Sequence, residues 1–173
     1  MAQCAKLVAL VVVFVFCAAC LVQAEEGEKF TKLNDKGQKL PSDAGQWAMI
    51  HDNTTGLMWE VKTTDGSIHD MGKTYNWEGA NDVFIAELNR VKFGGFGDWR
   101  LPTTDELRTI RVKGAEPNIN VAFFPNTAST GYFSVTECGS GDIFAERVKF
   151  GKIRNTKKDM RVRAVRGGDT KRE

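Results

Sequence analysis

Strand-like segments at both ends, two helix signals in the middle and Asn/Gly turns between them predict an α+β domain with a mainly antiparallel sheet. The first strand-like stretch is Gln46–Asp52. Asn53-Thr54-Thr55-Gly56 follows as a turn, because Asn and Gly tolerate positive φ. Leu57–Lys62, which contains Trp59, returns as a second strand, so the pair reads as a hairpin. Thr63 to Lys73 is a loop. Trp77, Ala80, Phe84 and Leu88 recur on one face of a helix over Asn76–Arg90, with Asn76 as its cap. Thr103-Thr104-Asp105-Glu106 is a capping box, placing Thr103 at the start of a second helix that runs to about Val112. Residues 115–131 are irregular. Tyr132–Thr136, Ile143–Phe150 and Asp159–Val165 close the domain as strands.

The ends of the chain carry addresses rather than fold. Lys6, the apolar run Leu7–Ala19 and the small-residue ending Val22-Gln23-Ala24 read as a signal peptide over residues 1–24. The apolar stretch from Leu7 to Val22 is 16 residues, shorter than the roughly 20 that span a bilayer. Ala18-Ala19-Cys20 also matches the end of a bacterial lipoprotein signal, apart from Cys17 in place of an aliphatic residue. Under that alternative Cys20 carries lipid. Membrane association is expected only there, or if the signal stays uncleaved. Residues 25–45 read as a polar lead-in, 46–168 as the domain and 169–173 as a charged tail. The expected location is the periplasm or cell surface.

Removing the signal leaves Cys138 as the single cysteine, so no intrachain disulfide is expected and the core must hold the fold alone. Chemistry is poorly supplied. His51 and His69 are the two histidines, with no His/Cys cluster at metal-ligand spacing. No nucleophile elbow accompanies either. Glu116-Pro117-Asn118 has the composition of a calcium-lectin tripeptide, but calcium needs six to eight oxygens. No metal, no cofactor and no catalytic residue is expected.

Charge is the more informative signal. The net charge is +2, but residues 145–173 carry 11 Lys or Arg against four acids, a net of +7. Arg147, Lys149, Lys152, Arg154, Lys157, Lys158, Arg161 and Arg163 fall on two expected strands and their turn. On an antiparallel pair, Arg161 and Arg163 share a face, with Arg147 and Lys149 beside them. Such a row suits sulfates, carboxylates or lipid phosphates. An ordinary solvated strand pair explains the same charges. Without an aromatic stacking platform, an exported chain is not expected to bind nucleic acid.

The motifs together resemble one family. Asp52-Asn53-Thr54-Thr55-Gly56-Leu57-Met58-Trp59, the helix from Trp77, the run Gly94-Gly95-Phe96-Gly97-Asp98-Trp99-Arg100-Leu101-Pro102-Thr103 with Glu106-Leu107, the loop Pro117–Asn120 with Phe124–Thr127, and Arg161–Gly168 appear in order. This pattern resembles the Lcl C-terminal domain family, named for the Legionella collagen-like adhesin. Gly131–Thr136 departs from that family's usual strand, and Ala164 stands where its closing strand often has Cys. The resemblance implies a C-type-lectin-like fold with the terminal strands close together, distantly similar to sulfatase-modifying factor domains. It also implies adhesion or polyanion binding at the cell envelope, the partner being an anionic glycan or another acidic envelope component. A structural envelope module without a small ligand is the alternative, and an enzyme related to sulfatase-modifying factors is a third. By its residues, Trp99-Arg100-Leu101-Pro102-Thr103 is expected to be scaffold: Pro102 keeps Leu101 extended, Trp99 and Leu101 bury apolar area, and Arg100 pairs with Asp98 or a helix carboxylate. Ligand identity and oligomeric state stay open.

Overall fold

A computed structural model describes residues 29–137, 143–147, 152–154 and 159–168, with side chains placed for 29–136 and 159–168. The signal segment, Cys20, Cys138, Lys149, Lys157, Lys158 and the tail from 169 lie outside the described residues.

Among the described residues, two antiparallel sheets, two longer helical segments and a short 3-10 turn over Phe93–Gly95 make up an α+β architecture. β1 (Phe30–Leu33), β2 (Met49–Asp52), β3 (Leu57–Glu60) and β7 (Val165–Gly167) form one sheet in the order β1-β2-β3-β7. β4 (Gly131–Glu137), β5 (Ile143–Arg147) and β6 (Lys152–Arg154) form the other, in the order β4-β5-β6. The first helical segment, α1, covers 77–90, with a wide π-type stretch over Ala80–Ile85 between ordinary turns. The second, α2, is Thr104–Thr109.

The expected hairpin is β2–β3, with Ile50 opposite Trp59 and His51 opposite Met58. Its turn is held by Asp52, whose Oδ1 accepts from the amides of Thr54 at 2.9 Å and Thr55 at 3.3 Å. The polar lead-in is partly structural. Phe30 and Leu33 are buried, and Phe30 pairs with Asp52 as β1 joins the sheet edge. Two buried residues among many polar ones are too weak a pattern to mark a strand, but the open edge of β2 supplies hydrogen bonds that favour one.

β3 is buried on both faces. Ile50, Leu57, Trp59 and Val61 pack with Leu107 and Ile110 of the α2 region, and with Phe124 and Tyr132. Met49 and Met58, on the alternate positions, pack with Ala80, Phe84 and Leu88 of α1 and with Trp99 and Leu101. The expected apolar face of α1 is therefore the buried one, with Trp77 half-buried edge-on to Phe133 at 5.5 Å.

The Gly94–Thr103 run is a folding device, as its composition suggested. Trp99 is gripped by Asn89, whose Oδ1 accepts from the Trp99 amide at 2.7 Å while its Nδ2 donates to the Trp99 carbonyl at 2.9 Å. Arg100 exchanges both backbone hydrogen bonds with Val165, joining the motif to β7. Its guanidinium meets Glu106 through two bonds of 2.8 and 2.6 Å. Asp98 pairs instead with Arg166, at 2.7 and 3.1 Å, and Arg166 lies over the Phe96 ring at 3.7 Å. Thr103 Oγ1 accepts from the Glu106 amide at 3.1 Å, and Glu106 accepts from the Thr103 amide at 2.7 Å, completing the capping box. α2 stops at Thr109, earlier than the expected Val112, because Arg111 turns away to bridge Ile119.

Partial burial works to raise the Glu106 carboxyl, but the Arg100 contact and the Thr103 amide outweigh it and hold the group below its ordinary 4.5. A depressed carboxylate stabilises the fold above its unfolded pKa, and that contribution is lost as pH falls through the folded value. Glu106→Gln should therefore flatten the loss of stability below about pH 4.5 seen in urea titrations at stepped pH. Thr103→Ala should lower the unfolding free energy at neutral pH by about 1 kcal/mol, the usual value of an N-cap, measured by urea denaturation.

Candidate functional site

The last expected strand is divided. Met160 and Arg161 bridge Tyr75 and Tyr132, residues 162–164 run on without strand pairing, and β7 then pairs with β3. β5 pairs with β4 and β6, not with the 159–165 segment. Among the described residues, Arg161 and Arg163 therefore do not lie beside Arg147 on one strand pair, as was expected. Arg147 stands opposite Gly131, Lys152 opposite Glu146 and Arg154 opposite Phe144 along the β4-β5-β6 ladder. Arg161 donates to the Met71 carbonyl. Arg163 is 1% exposed and donates to the Glu60 carbonyl and to Thr127 Oγ1, both at 2.8 Å. Phe124 and Tyr132 flank its guanidinium at 5.4 and 5.8 Å. Arg163 thus serves the core, and the expectation that it faces an external polyanion is corrected. Its neighbours Val162 and Ala164 are also buried, so this segment threads between the two sheets, where no solvated row can form.

The chemistry that does converge lies under β3. Glu60, the last residue of β3, and Lys62, two residues on, are 0% and 3% exposed. Glu60 Oε1 accepts from Lys62 Nζ at 2.9 Å and lies 2.8 Å from His69 Nδ1. Glu60 Oε2 accepts from the Ala164 amide at 3.0 Å. Lys62 Nζ also sits 4.5 Å from the centre of the Phe84 ring. Burial acts to raise the Glu60 carboxyl, but Lys62 and the His69 hydrogen bond overcome it, and the group stays ionised, below its ordinary range. Burial pulls the Lys62 amine down, only partly opposed by Glu60. An ionised carboxylate can only accept, so His69 Nδ1 carries the proton in this contact.

The 63–72 loop brings His69 to Glu60. The Thr63 amide donates to the His69 carbonyl and the Met71 amide to the Thr63 carbonyl, closing a narrow ring. Asp65 accepts from Thr63 Oγ1 and the Ser67 amide, and Asp70 from the amides of Gly66 and Gly72. These bonds hold both carboxyls below their usual range. The imidazole then rests on Phe93 with ring centres 4.4 Å apart, and Phe93 rests on Trp99.

His69 lines a cleft of about 410 Å³, walled by Trp47, Val61, Val91 and Phe93, with Asp35, Thr63 and Lys92 as its other polar residues. Two loops clamp one wall: the Gly94 amide donates to the Asp35 carbonyl at 3.2 Å, and a Cβ on Gly37 would meet the Gly94 carbonyl oxygen at 2.5 Å. The sequence marked His69 only as one of two histidines, outside any metal-ligand cluster. Its partner Glu60 carried no local mark, since Glu and Lys alternating with Trp59 and Val61 also suit a solvated strand face. Glu116, the first residue of the lectin-like tripeptide, accepts a hydrogen bond from Ser129 Oγ.

A family model, the Lcl C-terminal domain, matches residues 48–166. Neither the comparison with curated proteins nor that with solved structures returned a match. The matched span includes β2, β3, both helices, the Gly94–Thr103 run and the first two residues of β7.

Lys62→Met should cost about 3–5 kcal/mol of stability, because it leaves the Glu60 carboxylate buried without its cation. The double change Glu60→Gln/Lys62→Met should recover most of that loss in the same urea titration.

Proposed function

Because the chain belongs to the Lcl C-terminal domain family, an adhesin-associated domain type, we propose that it is an exported binding domain of the cell envelope that recognises anionic glycans or similar polyanions. One observation carries this reading: the charge separation along the chain. Residues 145–173 hold a net +7, while the mature chain before them is net acidic. A surface charged in this sided way draws polyanions by long-range attraction. The family resemblance also carries the C-type-lectin-like reading of the α+β architecture, a scaffold for binding rather than catalysis. The signal segment, cleaved or lipidated at Cys20, would deliver the domain to the periplasm or cell surface.

Arg163 belongs to the core and Arg161 holds the 63–72 loop, so the contact would fall to Arg147, Lys149, Lys152, Arg154, Lys157 and Lys158. Lys152 and Arg154 occupy β6, the edge strand of its sheet. Basic residues on an edge also discourage strand-to-strand aggregation, the role they would have in a purely structural module.

Retention on a heparin column separates the two roles. The polyanion reading expects the full chain to be retained well above physiological salt and Lys157→Glu/Lys158→Glu to elute markedly earlier with an unchanged far-UV spectrum. Elution of the unaltered chain at low salt, or identical elution of the variant, would leave the structural role standing instead.

A further inference from the structure

The cleft beside His69 is separate from the basic segment and has its own chemistry. The imidazole is fixed on two sides, by Glu60 Oε1 at 2.8 Å from Nδ1 and by the Phe93 ring face at 4.4 Å. With Nδ1–H committed to the buried carboxylate, the neutral ring has its lone pair on Nε2. Nε2 makes no hydrogen bond to another group among the described residues, and His69 is 18% exposed along the cleft wall. A bound molecule that covered this wall without offering a donor would leave Nε2 buried and unpaired, at a cost in affinity. The ligand must therefore present an O–H or N–H to His69.

The remaining walls narrow the class. Trp47 is held in place by its Nε1 donating to the Phe123 carbonyl at 2.8 Å. With Val61 and Val91 it supplies apolar surface for a flat, non-polar face, the Phe93 ring face being taken by His69. The Asp35 side chain is exposed at the lining, a second acceptor that disfavours anions. The Lys62 cation is turned inward and neutralised by Glu60, so it offers the cleft no anion site. Lys92, exposed on the same lining, gives a rim donor. A volume of about 410 Å³ lies within the range of small-molecule clefts. Several acceptors, little net positive charge and aromatic walls match a molecule rich in hydroxyl donors on one edge and C–H groups on its face.

We propose that this cleft binds one uncharged sugar ring, its C–H face against Trp47, Val61 and Val91 and a hydroxyl donating to His69 Nε2. The Glu60–His69 pair acts as a positioning device: the buried carboxylate sets the tautomer that makes Nε2 an acceptor. The site operates without the basic segment, so it stands or falls apart from polyanion recognition.

The test is an NMR titration of the full chain with glucose, galactose and N-acetylglucosamine at millimolar concentrations, following the His69 ring nitrogens and the Trp47 indole N–H, with His51 as internal control. The expected result is a saturable shift at His69 Nε2 and Trp47 for at least one sugar. His69→Gln should weaken it by about tenfold, the scale of one hydrogen bond lost in a desolvated site. Val91→Trp, which fills the cleft from an exposed wall position and leaves the buried pair intact, should abolish it. Lys157→Glu/Lys158→Glu should leave it unchanged. Absence of saturation with all three sugars, or a titration unaltered by Val91→Trp, would overturn the proposal. Heparin retention of the Val91→Trp variant, measured in parallel, reports on the basic segment alone.

Discussion

Glu60 is a carboxylate without solvent exposure, and a charge in that position survives only if the surrounding chain is arranged to compensate it. Here the compensation comes from three segments: Lys62 just past the end of β3, His69 from the following loop, and, about a hundred residues on, the Ala164 amide from the segment that leads into β7. Removing any one would leave a buried anion short of a partner. The carboxylate therefore makes the path of the 159–165 segment and the closure of the 63–72 loop conditions of one another. A hydrophobic residue at this position would have allowed those segments to settle independently. The ionic version specifies how they meet, at the expense of desolvating two charges.

The Gly94–Thr103 run works around that centre. Trp99 fills the α1 side of β3, Arg100 ties β7 to the start of α2, and Phe93, just before the run, supports His69. Gly94 is required where the loop crosses Met49, since a Cβ there would lie 2.5 Å from its sulfur. The same stretch that organises the core thus forms one wall of the cleft. The motif thereby decides where an imidazole and an aromatic wall stand.

Among the described residues, the two buried cations, Lys62 and Arg163, are spent inside the fold: Lys62 on the Glu60 carboxylate, Arg163 on the Glu60 carbonyl and the Thr127 hydroxyl. A residue's charge therefore says little about its role until its exposure is known. Arg163 is the sharpest case. In sequence it alternates with Arg161 and reads as half of a basic row; in the fold it fills space between Phe124 and Tyr132.

What the sequence determined by itself were the features set by local physics. The capping box at Thr103–Glu106, the turn at Asn53–Gly56, the apolar face of α1 and the structural character of Trp99-Arg100-Leu101-Pro102 all depend on residues within a few positions of one another, and all were legible. The ordered motifs likewise sufficed to identify the family. Tertiary structure alone decided the rest. β1 exists because β2 offers it an open edge, although Phe30–Leu33 is too polar to declare itself. The 159–165 segment was divided because Glu60 and Tyr132 draw it in different directions. His69 acquired a partner, a tautomer and a cleft because a loop closed on a carboxylate nine residues earlier. Strand alternation cannot tell a solvated Glu-x-Lys face from one buried against a helix, since the pattern is the same and the difference is what packs on top. That covering layer comes from α1 and from the end of the chain, contacts that exist only once the whole domain has folded.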